Sequence, residues 1–363
     1  MFAVKTFGVR LQLIRKCLTI HKHRHYSVCE PGGPVSNKLF APFNDKSEST
    51  SAKVTIVGSG QVGMAAAISL LTKRVTDNLV LLDSSAEKVK GEMLDLQHGS
   101  IFLNSPKIQA SSDYGVTDGS KVVIVTAGVR QKPGETRLVL TQRNVDIMKE
   151  IIPKIVKHSP DSIMVLATNP VDILSYVTWK LSGFPKHRVM GSGCVLDSAR
   201  LRFLMAEKYG IASNSCHGYV IGEHGDSSVA VWSGMNVAGT RIKELNPDVG
   251  KDSDPEKWKA VHTRVVKSGY EVIQAKGYTS WAIGLSLCEI TAAILNNENS
   301  IHAVSTYLKG QHGVESEVFL SLPCVLGHGG VSDVVHLSLT DEERRLLQKS
   351  ASIIHEMQST VEF

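Results

Sequence analysis

Val54-Thr-Ile-Val57, then Gly58-Ser-Gly60-Gln-Val-Gly63, then Met64-Ala-Ala-Ala-Ile-Ser-Leu-Leu71 is the stretch that decides the fold. A short β-branched apolar run reads as a buried strand, and the residues after Gly63 are helix formers. Between them stand three glycines in the spacing G-x-G-x-x-G. A tight turn, a backbone that approaches a pyrophosphate and a helix packed close to its strand each need a missing side chain, and the helix N-terminus favours the phosphate charge. Asp83 ends the next apolar run, 20 residues after Gly63. A carboxylate there can accept from the adenosine ribose hydroxyls and repels a 2′-phosphate, so NAD is expected over NADP.

Working outward, Leu79-Val-Leu-Leu82, Val122-Val-Ile-Val125 and Ile163-Met-Val-Leu166 repeat the pattern, separated by longer helix-compatible stretches. Apolar runs that do not alternate belong to strands buried on both faces. The fold class expected is α/β, a doubly wound parallel-sheet NAD-binding domain of the Rossmann type over residues 53–193. Beyond Gly191 the regularity fades, as in an α+β substrate and catalytic domain over residues 194–363.

The 363 residues carry a formal charge of +5, with 42% hydrophobic and 21% charged residues. Lys5, Arg10, Arg15, Lys16, Lys22 and Arg24, with no acid among residues 1–29, supply +6, so the remainder nets −1 and no nucleic-acid partner is implied. Val9, Leu11, Leu13, Ile14 and Leu18 fall on one helical face of this leader, residues 1–33, which has the composition of a mitochondrial transit peptide; the alternative is an untargeted extension of a cytoplasmic protein. No apolar run approaches the roughly 20 residues that span a bilayer, so a soluble protein without a membrane partner is expected. Six cysteines without a C-x-x-C read as buried thiols of a reducing compartment, and His21, His23 and His25 lack acidic or cysteine partners, so no metal is expected.

Two further segments carry chemistry: Val195-Leu-Asp197-Ser-Ala-Arg200 and Val220-Ile-Gly-Glu-His224-Gly-Asp-Ser-Ser228. On a helix, Asp197 and Arg200 share a face. A histidine can shuttle a proton, an aspartate can hold its ring, and an arginine can clamp a carboxylate with two parallel hydrogen bonds. Gln131-Lys-Pro-Gly-Glu-Thr-Arg137 reads as a polar loop able to close over a ligand.

With these stand Met93-Leu-Asp-Leu-Gln-His-Gly99, Ala127-Gly-Val-Arg-Gln131, Asn169-Pro-Val-Asp-Ile-Leu174 and Lys276-Gly-Tyr-Thr-Ser-Trp-Ala-Ile-Gly284. Together and in this order they resemble the lactate/malate dehydrogenase family, and within it the vertebrate heart-type lactate branch, from about Lys38 to the C-terminus. The resemblance implies reversible hydride transfer between L-lactate and NAD+, giving pyruvate and NADH. It assigns Arg200 to the substrate carboxylate, Asp197 to the ring of His224, and His224 to the proton of the substrate oxygen. Arg137 would polarise the substrate carbonyl, Arg130 would lie along the pyrophosphate, and Asn169 near the nicotinamide and the substrate oxygen. Gln131 stands where the malate branch has an arginine, so a substrate with a small uncharged substituent is expected; Thr279 would line the same pocket.

By the same resemblance Lys38-Leu-Phe-Ala-Pro42, in an oligomerisation arm of residues 34–52, implies a homotetramer, able to mix with related subunits. The alternatives are a malate or broader 2-oxo-acid dehydrogenase, or a catalytically weak paralogue with a structural role. Val195, Tyr219 and Gln311-His312 depart from the family pattern without removing an assigned group.

Overall fold

The computed structural model describes residues 52–130, 134 and 136–363. The leader, nearly all of the arm and Gln131 lie outside the described residues, as do Cys17, Cys29 and the three leader histidines.

One nine-stranded sheet organises the chain. Strands β1 (Val54–Val57), β2 (Asn78–Leu82), β3 (Lys107–Ser111), β4 (Val122–Val125), β5 (Ile163–Leu166) and β6 (Val189–Gly191) run parallel in the order 3-2-1-4-5-6. This is the expected doubly wound arrangement, whose strand order reverses between β1 and β4 and opens a crevice at their carboxyl ends. Every residue of β1, β2, β4 and β5 is buried, which is why these runs lack alternation. Burying each Val, Leu or Ile side chain contributes roughly 1.5–3 kcal/mol.

The sheet continues antiparallel through β7 (Ser300–Tyr307), β8 (Phe319–Gly327) and β9 (Gly330–Val334), with Ser305 of β7 opposite Gly191 of β6. The later part of the chain therefore extends the sheet of the first.

Helices α1 (Gln61–Thr72), α2 (Ala86–His98), α3 (Arg137–His158), α4 (Val171–Ser182) and α5 (Val195–Tyr209) follow β1, β2, β4, β5 and β6. They are joined by α6 (Trp258–Lys276), α7 (Trp281–Leu295) and α8 (Asp341–Ser359). Helix α5 buries Leu201, Leu204 and Met205, spaced to share one face, and stops at Gly210 in the left-handed conformation. A two-stranded ribbon pairs Val220–Ile221 with Val229–Ala230, and its loop carries His224. Cys194, Cys216, Cys288 and Cys324 are free and buried. Among the described residues no helix is long and apolar enough to cross a membrane.

Candidate active site

Ser321 of β8 fixes the two elements that meet at the site. Its backbone exchanges two hydrogen bonds of 2.9 Å with Gly222, at the root of the His224 loop. Its hydroxyl accepts the N–H of Cys194, at the start of α5, at 2.9 Å. The Ser198 hydroxyl ties α5 to the ribbon by accepting the Val220 N–H at 3.0 Å.

Between these anchors Asp197 Oδ2 lies 2.5 Å from His224 Nδ1, and Asp197 Oδ1 accepts from Arg200 Nη1 at 3.0 Å. The three residues expected to act together are thus brought together on one carboxylate. Asp197 is 7% exposed and His224 25% by side chain, so the carboxylate is buried and the ring remains partly accessible. The charge of Asp197 outweighs burial and raises the His224 pKa to about 9. Burial alone would push Asp197 up, yet His224 and Arg200 hold it below the ordinary carboxylate value.

Asp172, in the first turn of α4, is a buried carboxylate that motif reading left without a role. Its Oδ2 accepts the backbone N–H of His224 at 2.8 Å and its Oδ1 the Ser305 hydroxyl at 2.6 Å. Burial raises its pKa to about 7. The available signal was an acid inside the apolar run Val171-Asp172-Ile173-Leu174, where burial is costly unless the charge is matched.

Asn169 precedes Pro170 through a cis peptide bond and is exposed at the carboxyl end of β5. Asn144, fully buried on α3, donates to Asn169 O at 2.9 Å and accepts from Val129 N at 2.8 Å. It couples the two loops that carry Asn169 and Arg130, and it too was missed.

Arg137 opens α3, capped by Thr136. Its guanidinium binds Asp226, two residues past His224, at 2.5 Å, and the Tyr270 hydroxyl of α6 at 3.2 Å. The structure therefore brings Arg137 to the His224 loop but onto its acid, not its ring. Thr279 lies half-buried between α6 and α7, and among the described residues no hydrogen bond ties it to the group. Gln131 is outside the described residues.

The crevice at the ends of β1 and β4 fits a dinucleotide. Gly58 has φ +102°, and a Cβ there would meet Ala127 N at 2.7 Å; a Cβ on Gly63 would lie 2.0 Å from Gly58 O. A Cβ on the exposed Gly60 would meet nothing within 4 Å, so the surface in front of the α1 N-terminus is open to phosphate. Asp83 accepts from Ser59 N at 2.7 Å, Ser59 Oγ at 2.8 Å and Ser85 N at 3.0 Å. Although burial opposes it, these donors lower its pKa and keep it anionic. A carboxylate has about four acceptor sites, so capacity remains for a ribose hydroxyl. Arg130 hydrogen-bonds Gln61, the first residue of α1, and so stands beside the phosphate position.

The chain matches the family model for the lactate/malate dehydrogenase NAD binding domain over residues 52–191, and that for the lactate/malate dehydrogenase alpha/beta C-terminal domain over residues 194–363. The L-lactate dehydrogenase B chain of Bos taurus is 60% identical over 321 residues, 88% of this chain and 96% of the relative. That of Sceloporus undulatus is 59% identical over 327 residues, covering 90% and 98%. That of Homo sapiens is 58% identical over 325 residues, covering 89% and 97%.

Proposed function

The chain belongs to the lactate/malate dehydrogenase family, and we propose that His224, Asp197 and Arg200 are the groups with which it interconverts pyruvate and L-lactate. It is an NAD-dependent oxidoreductase acting on the CH–OH group of a 2-hydroxy acid, an L-lactate dehydrogenase like the relatives it matches. The observation that carries the residue roles is the shared carboxylate of Asp197.

When bound, the nicotinamide supplies or takes the hydride. Nδ1 of His224 faces Asp197, which leaves Nε2 to give a proton to the carbonyl oxygen in reduction and to take it back in oxidation. Asp197 keeps the imidazolium form available at neutral pH and fixes the ring. Arg200 spends one nitrogen on Asp197 and presents the rest of its fork to the substrate carboxylate. Asn169, with its backbone held by Asn144, would lie between nicotinamide and substrate oxygen, with Thr279 lining the pocket. Gly58, Gly60, Gly63, Asp83 and Arg130 would hold the dinucleotide. Arg137 is the group that would polarise the carbonyl, which requires it to exchange Asp226 for substrate.

Gln131 supports pyruvate over oxaloacetate: a neutral side chain leaves the second carboxylate of oxaloacetate without a countercharge in a closing cavity. The arm-like Lys38-Leu-Phe-Ala-Pro42 supports association into a homotetramer. The basic, acid-free residues 1–29 support mitochondrial targeting, with a cytoplasmic enzyme as the alternative. The division at residue 193 into dinucleotide and substrate domains belongs to the same reading.

The test is NADH oxidation by the purified chain with pyruvate and with oxaloacetate, beside the variant His224→Ala. Pyruvate turnover that falls about 10²–10⁴-fold in the variant, with NADH binding retained, is expected. A variant that keeps most of the rate ends the assignment of His224.

A further inference from the structure

We propose that Asp172 is a positioning residue for His224: a buried, charged anchor that clamps the histidine's peptide N–H while Asp197 holds its ring, and is itself held by Ser305. The inference rests on the reading of His224 as the proton donor, and adds that two carboxylates set its basicity.

The geometry is specific. Asp172 sits three residues after Asn169, in the first turn of α4, where the helix dipole favours an anion. Its two oxygens join three elements: α4, the His224 loop and β7, through bonds of 2.8 and 2.6 Å. Both partners donate, so the anion is the form they stabilise. With its pKa at about 7, Asp172 is ionised across the range in which His224, at about 9, loses its proton. Its negative charge therefore favours the imidazolium, in the same direction as Asp197.

The other titratable or charged groups around the pair are Asp197, Arg200 and the buried Cys194 of α5, Glu223 on the same loop, and His262 of α6, whose basicity burial lowers. Glu223 is tied back to Ser227 N at 3.0 Å. From β7 the partner is the Ser305 hydroxyl, which carries no charge.

Asp172→Asn separates charge from hydrogen bonding. The amide oxygen can accept the His224 N–H and the amide nitrogen can donate to Ser305 Oγ, so both contacts persist while the charge goes. In the full chain the readouts are the alkaline limb of kcat/KM for pyruvate and the pH dependence of diethyl pyrocarbonate modification, followed on the His224 peptide by mass spectrometry. The reagent attacks neutral imidazole, so its rate reports the His224 pKa without turnover.

Both midpoints should fall by roughly one pH unit, with NADH affinity unchanged. Asp172→Ala, which removes the clamp as well, should lower kcat further. If Asp172→Asn does not fold, Ser305→Ala takes its place. Loss of that donor raises the Asp172 pKa and should move both midpoints the same way by less. A fall in the modification midpoint with an unmoved kinetic limb supports the anchor and overturns His224 as donor. Wild-type midpoints in both assays overturn the anchor.

Discussion

Nδ1 of His224 lies 2.5 Å from Oδ2 of Asp197, and the elements carrying the two residues are both fastened to Ser321. With His224 as the proposed proton donor, pyruvate reduction needs the imidazolium, so its kcat/KM should stay level up to a midpoint near pH 9 and fall about tenfold per unit above it. Lactate oxidation needs the neutral ring and should rise through the same midpoint. Because the folded pKa exceeds the ordinary 6.5, the stability that the His224 proton contributes is complete below 6.5 and is lost as pH rises through about 9. Asp197, held low, acts in the opposite sense: its contribution is present above its unfolded value and lost as pH falls through its folded one. Asp197→Asn should move the kinetic midpoint down toward 6.5 and lower kcat by about 10² or more. Stopped-flow pH profiles decide it; a midpoint left near 9 would mean that another group holds the proton.

Gly63 and Gly60 make opposite demands in one turn. A Cβ on Gly63 collides with Gly58 O, so Gly63→Ala should cost about 1–3 kcal/mol of stability or more. At Gly60 φ is −78° and a Cβ meets nothing, so Gly60→Ala should fold with an unchanged melting temperature. It should still weaken NADH binding about tenfold, because the methyl enters the space of the pyrophosphate. Calorimetry beside NADH titration separates the two. Unchanged NADH affinity in the Gly60 variant would remove the phosphate from this turn.

How far the sequence reached depends on where each signal comes from. The runs 54–57, 122–125 and 163–166 are β1, β4 and β5 residue for residue, since full burial on both faces is written directly in composition. β3, Lys107-Ile-Gln-Ala-Ser, lies at the sheet edge and alternates buried Ile108 and Ala110 with exposed Lys107 and half-buried Gln109 and Ser111, so it carries no apolar run to find. Asp197 and Arg200 were legible as a pair because helical spacing is local. Asp172 was not: its partners lie 52 and 133 residues away. The same holds for the bond of Arg137 to Asp226, 89 residues on, which no local pattern announces.

Gln131→Arg should move preference from pyruvate toward oxaloacetate. It places a countercharge where the second carboxylate must sit, and a desolvated charge pair discriminates strongly against the uncharged methyl. The ratio of the two kcat/KM values is the quantity to follow. An unchanged ratio would take Gln131 out of the substrate pocket.

Residues 1–33 fused to a fluorescent protein should enter mitochondria. Each of the six Lys and Arg residues gains roughly 2.3 kcal/mol per 100 mV from a matrix-negative potential, and no acid opposes them. Changing Arg10, Arg15, Lys16 and Arg24 to Glu should abolish entry. A diffuse cytosolic signal from the unaltered fusion would make the segment an untargeted extension.

Asp83 holds the glycine turn and is the proposed ribose acceptor, and the two roles can be told apart. Its carboxylate holds Ser59 through both N–H and hydroxyl, so Asp83→Ala removes a ribose acceptor and unhooks the turn together. NADH affinity should fall by about 10–100-fold, one lost charge-assisted hydrogen bond to the ribose being worth about 1.5–3 kcal/mol. Discrimination against NADPH should narrow, because the charge that repels a 2′-phosphate is gone. Ser59→Ala deletes only the hydroxyl contact and leaves the carboxylate on Ser59 N and Ser85 N. It should therefore weaken NADH by less than tenfold and leave the NADH/NADPH ratio in place. Fluorescence titration of both cofactors against both variants reads all four affinities. If Asp83→Ala weakens NADH and NADPH equally, the carboxylate serves the turn alone and cofactor choice lies elsewhere.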